Sequence, residues 1–152
     1  MRVREILAVK GKVLYTIAPQ KKLSEAVATM AVRDVGSMAC VDHGQMVGML
    51  TFSEIVKALH AHGAAWGSVT VGEIMVRDPL VGLPEMEVDE LRRLMVANRI
   101  RYLPIMDGDM LLGVISFHDV AKAVIEEEEF ENRQLKAYIS DWTQEALTEK
   151  HA

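Results

Sequence analysis

The chain has 152 residues, half of them hydrophobic and 26% charged, a size and composition suited to one compact domain with its own core. Its formal charge of −5 at pH 7 argues against a sequence-independent grip on nucleic acid, which needs clustered Lys and Arg. The longest apolar runs are strand-sized, so no membrane span is expected, and the lone cysteine, Cys40, leaves no partner for an internal disulfide.

From the N-terminus, Val3–Val9 predicts a short helical lead-in without the apolar core of a signal peptide, which leaves the cytoplasm as the default compartment. Val13–Ile17 is extended and ends at Pro19, which withholds a ladder donor. Ser24 is an N-cap type before a helix whose face is Ala26, Val27, Met30 and Ala31. Ser37–Val41 and Met46–Leu50 alternate as strands around the turn Asp42-His43-Gly44, and a helix follows at once. Gly63–Gly67 is a connection. A second series then begins with a lead-in at Val71–Val76, an extended Leu80–Leu83 and Pro84. Its helix is capped at Asp89, with a face of Leu91, Leu94, Met95 and Asn98. Tyr102–Met106 and Met110–Ile115 flank the turn Asp107-Gly108-Asp109. A final helix, continuous or broken, is expected from about 119 to 148, through the acidic run Glu126–Glu129 and the apolar stripe Leu135, Tyr138, Ile139 and Trp142.

The two series are copies. Gly48-Met49-Leu50-Thr51-Phe52-Ser53-Glu54 recurs 65 residues later as Gly113-Val114-Ile115-Ser116-Phe117-His118-Asp119. At that offset residues 19–58 align with 84–123 without a gap, with eight identities in 40 positions. Each copy reads β-α-β-β-α. A unit near 60 residues is marginal alone, so the pair is expected to share one core with pseudo-twofold symmetry. The expected fold is α/β (α+β), with repeat 1 over residues 1–64, repeat 2 over 65–125 and a helical tail over 126–152.

This order, with Gly48-Met49-Leu50-Thr51-x-x-Glu54, Gly113-Val114-Ile115-Ser116-x-x-Asp119 and Arg99-Ile100-Arg101-Tyr102-Leu103-Pro104-Ile105, resembles the CBS domain, whose tandem pair is known as a Bateman module. The resemblance covers about residues 1–125. It implies a regulatory module rather than an enzyme. It also implies an adenosine-containing ligand (AMP, ADP, ATP, NAD(H) or S-adenosylmethionine) in one or both clefts between the repeats, and pairing of two modules through their helices. A homodimer, an unknown regulated protein and no required cofactor follow as expectations. The other reading is a structural or protein-interaction module with vestigial clefts. The tail stripe would cover a second subunit or a separate partner.

Ribose offers two neighbouring hydroxyls to one carboxylate, and phosphate needs donors and positive potential, which a helix N-terminus supplies. Asp119 would therefore suit ribose, and Ser116 and His118 phosphate. By resemblance Arg101 would reach the phosphates, with Arg99 a lesser candidate. Ile115 would border adenine, opposite a wall from Thr16, Ala18, Val35, Gly36 and Ser37. The simpler alternative is that Ser116 and Asp119 only cap the last helix. In the first copy Thr51, Ser53 and Glu54 hold the matching places. Glu54 stands where Asp is usual, which moves the acid outward by about 1.5 Å, against a hydrogen-bond window of about 0.5 Å. Ser53 stands where Arg is frequent, and Gly36 aligns with Arg101. The Asp119 site is accordingly expected to be the stronger, and the Glu54 site weak or empty. Tyr102 replaces a usual His. Neither a phosphate-binding Gly-x4-Gly-Lys-Ser/Thr loop nor a Gly-x-Ser-x-Gly elbow is present. His60 and His62 do not share a helix face, and Cys40 is expected to be an inert core thiol.

Overall fold

The computed structural model describes residues 1–11 and 13–151, with side chains as far as Leu147. Its elements are α1 (Val3–Lys10), β1 (Thr16–Ile17), α2 (Leu23–Arg33), β2 (Ser37–Asp42), β3 (Gln45–Thr51) and α3 (Phe52–His62). A 3-10 turn over Gly63–Ser68 leads to α4 (Val71–Ile74) and β4 (Val76–Arg77), then α5 (Val88–Ala97), β5 (Tyr102–Asp107), β6 (Met110–Ser116) and α6 (Phe117–His151).

The duplication extends to strand register. Ser37 pairs with Thr51 as Tyr102 pairs with Ser116, and both hairpins carry an irregularity at the matching place, after Cys40 and after Ile105. The parallel pair Ile17–Cys40 has its counterpart in the isolated bridge Gly82–Ile105. Repeat 1 builds a four-stranded sheet, β1-β2-β3-β4, and repeat 2 a two-stranded one. Both hairpin turns form. His43 and Gly44 both take positive φ, as does Gly108. The first extended segment narrows to Thr16–Ile17, and the one expected at Leu80–Leu83 keeps only the bridge at Gly82.

The lead-ins are exchanged between the repeats, whereas the sequence reading kept each with its own copy. Val3 and Ile6 of α1 pack with Val88, Leu91, Leu103, Ile105, Ile115 and Val120, the core of repeat 2. Val71 and Met75 pack with Leu23, Met30, Met38, Cys40 and Leu50, the core of repeat 1. β4 likewise pairs with β3. The exchange explains why Ser24 and Asp89 are not the N-caps. Lys22 and Glu87 hold those places without side-chain caps, and each bridges the other repeat's lead-in, at Thr70 and Arg2. The first helical amides, Leu23 N–H and Val88 N–H, then donate to Val69 O at 2.7 Å and Met1 O at 2.9 Å. Imported carbonyls satisfy donors that a cap would otherwise serve. Asp89 instead pairs with Arg92 and Arg93.

The last helix is unbroken through its acidic run and covers 35 residues, about 52 Å at 1.5 Å per residue. Val120 and Ala123 are buried, while Phe130, Leu135, Tyr138, Ile139, Trp142 and Leu147 are each more than half exposed. Among the described residues no helix is long and apolar enough to cross a membrane.

Candidate functional site

Each hairpin ends at a hydroxyl that starts a helix. Thr51, the last residue of β3, keeps extended backbone as the N-cap of α3. Glu54 Oε1 accepts from Thr51 N–H at 2.8 Å and from its hydroxyl at 2.9 Å. Ser116 closes β6 in the same way. Asp119 Oδ2 accepts from Ser116 N–H at 2.8 Å, and Asp119 N–H donates to Ser116 Oγ at 3.1 Å. The spacing hydroxyl-x-x-acid is thus a capping box at both places. The two acids differ in access, since Glu54 is 7% exposed and the Asp119 side chain 23%.

Asp119 has a partner that sequence reasoning missed. Lys10, the last residue of α1, donates from Nζ to Asp119 Oδ2 at 2.6 Å and to Val114 O at 2.7 Å. Burial alone would push the Asp119 carboxyl up. The hydrogen bond from Lys10, the Ser116 amide and the Lys10 charge outweigh it and hold the carboxyl below its ordinary range. No local pattern points to Lys10, which reaches Asp119 only because α1 crosses to the other repeat.

Two clefts open at the junction of the repeats. One, about 530 Å³, is lined by Lys10, Tyr15, Asp34, Val35, Gly36, Ser37, Arg101, Tyr102, Ser116 and His118, among others. The other, about 960 Å³, brings Thr51, Ser53, Glu54 and Lys57 against Asp78, Asn98, Arg99, Arg101 and Tyr102. Both volumes lie in the range of small-molecule sites, about 300–1,000 Å³. Of the residues named for the Asp119 site, Ser116, His118, Arg101, Val35, Gly36 and Ser37 line the Ser116 cleft, and Asp119 is held beside it by Ser116 and Lys10. Four expected residues, Asp119 among them, line neither cleft. Ile115 is fully buried in the core, Thr16 is paired with Ala39, and Ala18 follows that strand.

The Glu54 side was expected to lack basic support because Gly36 aligns with Arg101. Instead, each cleft is composite, and the missing cations come from the other repeat. Arg99 and Arg101 face Thr51 and Glu54, and Lys57 joins them. Arg101 and Tyr102 border both clefts and form the partition between them. Arg99 takes positive φ (53°) immediately before this partition.

Cys40 is fully buried, and burial, aided by the nearby Glu54 charge, pushes its thiol up to about 12. It stays protonated and takes no part in either cleft. Among the described residues no group of three or more His, Cys, Asp or Glu could hold a metal ion.

The CBS domain family matches twice, over residues 3–61 and 71–126. The chain is 33% identical over 106 residues to the CBS domain-containing protein YhcV of Bacillus subtilis, covering 70% of this chain and 75% of that one. It is 29% identical to inosine-5'-monophosphate dehydrogenase of Methanocaldococcus jannaschii, over 80% of this chain but only 25% of that enzyme. Among solved structures, the CBS-domain containing protein ATU1752 of Agrobacterium tumefaciens superposes with a TM-score of 0.78 at 29% identity, covering 81% of this chain and 98% of that one. The CBS domain pair of protein MJ0100, solved with 5-methylthioadenosine and S-adenosyl-L-methionine, superposes with a TM-score of 0.73 at 25% identity, covering 84% of this chain and 98% of that one. Two matches of the same domain, a strand register that repeats with the sequence, and overlap with solved pairs lead to one assignment: the chain belongs to the CBS domain family and carries the domain as a tandem pair.

Proposed function

We propose that this CBS pair is a non-enzymatic, cytoplasmic sensor that binds an adenosine-containing ligand between its repeats and signals to a partner protein. The observation that carries the reading is the convergence of Arg101, His118 and Ser116 on one cleft beside the Asp119 carboxylate. That set supplies a guanidinium, an imidazole donor and a helix start for phosphate and an acid for ribose. The adenosine ligands named for the MJ0100 pair support the same class. The Ser116 cleft is proposed as the stronger site. Glu54 is 7% exposed and its capping bonds both go to Thr51, whereas the Asp119 side chain is 23% exposed beside the Ser116 cleft and has Oδ2 bonded to Ser116 and Lys10.

Binding would bridge elements of both repeats and shift their relative tilt, by no more than the ligand's differential affinity for the two arrangements. The exposed stripe on α6 is proposed to join two copies as a homodimer. A thermal-shift screen of AMP, ADP, ATP, NADH and S-adenosylmethionine tests the ligand class. A ligand at about 100 times its Kd stabilises by about 2.7 kcal/mol. A flat screen would favour an interaction module with vestigial clefts.

A further inference from the structure

We propose that Lys10 is a specificity-determining residue of the Ser116 cleft, selecting adenosine ligands that carry a phosphate over those that do not. The inference rests on the adenosine reading of that cleft. Lys10 Nζ sits 2.6 Å from Asp119 Oδ2, the carboxylate that a ribose diol needs. A second bond, to Val114 O at 2.7 Å, fixes the ammonium at the end of β6. Oδ2 already accepts the Ser116 amide as well, so a ribose diol that engages both carboxylate oxygens competes with the ammonium for Oδ2.

A ligand that offers only hydroxyls, held by both oxygens, displaces this charge-assisted bond and gives the ammonium nothing in return. A phosphorylated ligand resolves the competition, because its phosphate takes the ammonium while its ribose takes the carboxylate. The rest of the cleft fits that exchange. Lys10, Arg101 and His118 line the same space, opposed among the lining residues only by Asp34. Lys10 is about one-third exposed, and its flexible four-carbon stem lets Nζ turn from carboxylate to phosphate while α1 stays in place. The selecting residue thus comes from the first repeat's lead-in and acts on the second repeat's acid. Nucleoside phosphates are the favoured class. Adenosine and adenosyl ligands without phosphate are the disfavoured one.

The test is isothermal titration of AMP and of adenosine against the wild-type chain, Lys10→Met and Lys10→Arg, each checked for an unchanged circular dichroism spectrum. Lys10 does not line the Thr51 cleft, so a Lys10-dependent change reports on the Ser116 cleft alone. Wild type should prefer AMP, and Lys10→Met should narrow the AMP-to-adenosine ratio about tenfold by losing AMP affinity and gaining adenosine affinity. Lys10→Arg should keep the preference. Equal binding of AMP and adenosine by wild type, or a ratio unchanged in Lys10→Met while AMP still binds, overturns the role of Lys10 and leaves the adenosine reading standing. No binding of either compound by any of the three proteins overturns the adenosine reading, and the selectivity with it.

Discussion

The phenol of Tyr102 occupies the space that a side chain at Gly36 would need, since a Cβ built on Gly36 would lie 1.8 Å from the phenol oxygen and 2.6 Å from the ring. Gly36 precedes β2 of the first repeat and Tyr102 opens β5 of the second, so this contact seats one repeat on the other beside the partition of the clefts. Gly36→Ala should destabilise the fold by about 1–3 kcal/mol through overpacking. Adding Tyr102→Ser should recover part of that loss, so that the double variant costs less than the two single changes together. Urea unfolding of the four proteins measures the coupling. Strict additivity would mean that the ring moves aside freely.

The exchanged lead-ins make a prediction that a simple tandem arrangement would not. Ile6 lies early in the chain but in the core of the second repeat. Ile6→Ala should cost about 2–5 kcal/mol, as buried large-to-small changes do. Hydrogen exchange should accelerate first in β5 and β6. Earlier loss of protection in β2 and β3 would contradict the exchange.

Much of this architecture is legible in the sequence because a fixed 65-residue offset carries both hydrophobic pattern and turn residues, from Pro19 and Pro84 to Ala58 and Ala123. The strands beside His43-Gly44 and Gly108 follow from local chemistry. The lead-in exchange does not, because Val3–Ile6 and Val71–Met75 are equally apolar and either would fill either core. Lys10 and the placing of Arg99 and Arg101 against Thr51 and Glu54 were hidden for the same reason. They depend on which repeat faces which, a tertiary choice that no local spacing records. The helix starts were misplaced by two residues because Met1 and Val69 carbonyls, remote in sequence, do the work assigned to Ser24 and Asp89.

The Lys10–Asp119 pair should leave a signature in acid. The folded-state carboxyl lies below its ordinary range. Its stabilisation is therefore complete above the unfolded value, about 3.9, and is lost as pH falls through the lower folded value. Lys10→Met weakens that depression. The stability difference between wild type and Lys10→Met should be constant from pH 7 to about 5 and shrink below about pH 4. Urea unfolding across this range measures it. A difference that does not change with pH would contradict the coupling.

Truncation after Glu129 removes Phe130, Leu135, Tyr138, Ile139, Trp142 and Leu147, six of the exposed apolar residues of α6. If that stripe joins two copies, light scattering should report a dimer for the full chain and about half the mass for the truncated one. The two repeats should stay folded, because Val120 and Ala123, which anchor α6 in the core, are retained. An unchanged state of assembly would remove the stripe from the dimer.

The central claim is a nucleotide held between the repeats against the second repeat's acid. Isothermal titration of AMP against wild type, Asp119→Ala and Glu54→Ala tests it most directly. Both variants lose a capping acid, so each controls for the other's effect on helix stability. The expected result is binding by wild type, weakened about tenfold or more by Asp119→Ala and less by Glu54→Ala. Absence of binding by wild type, or loss confined to Glu54→Ala, would contradict it.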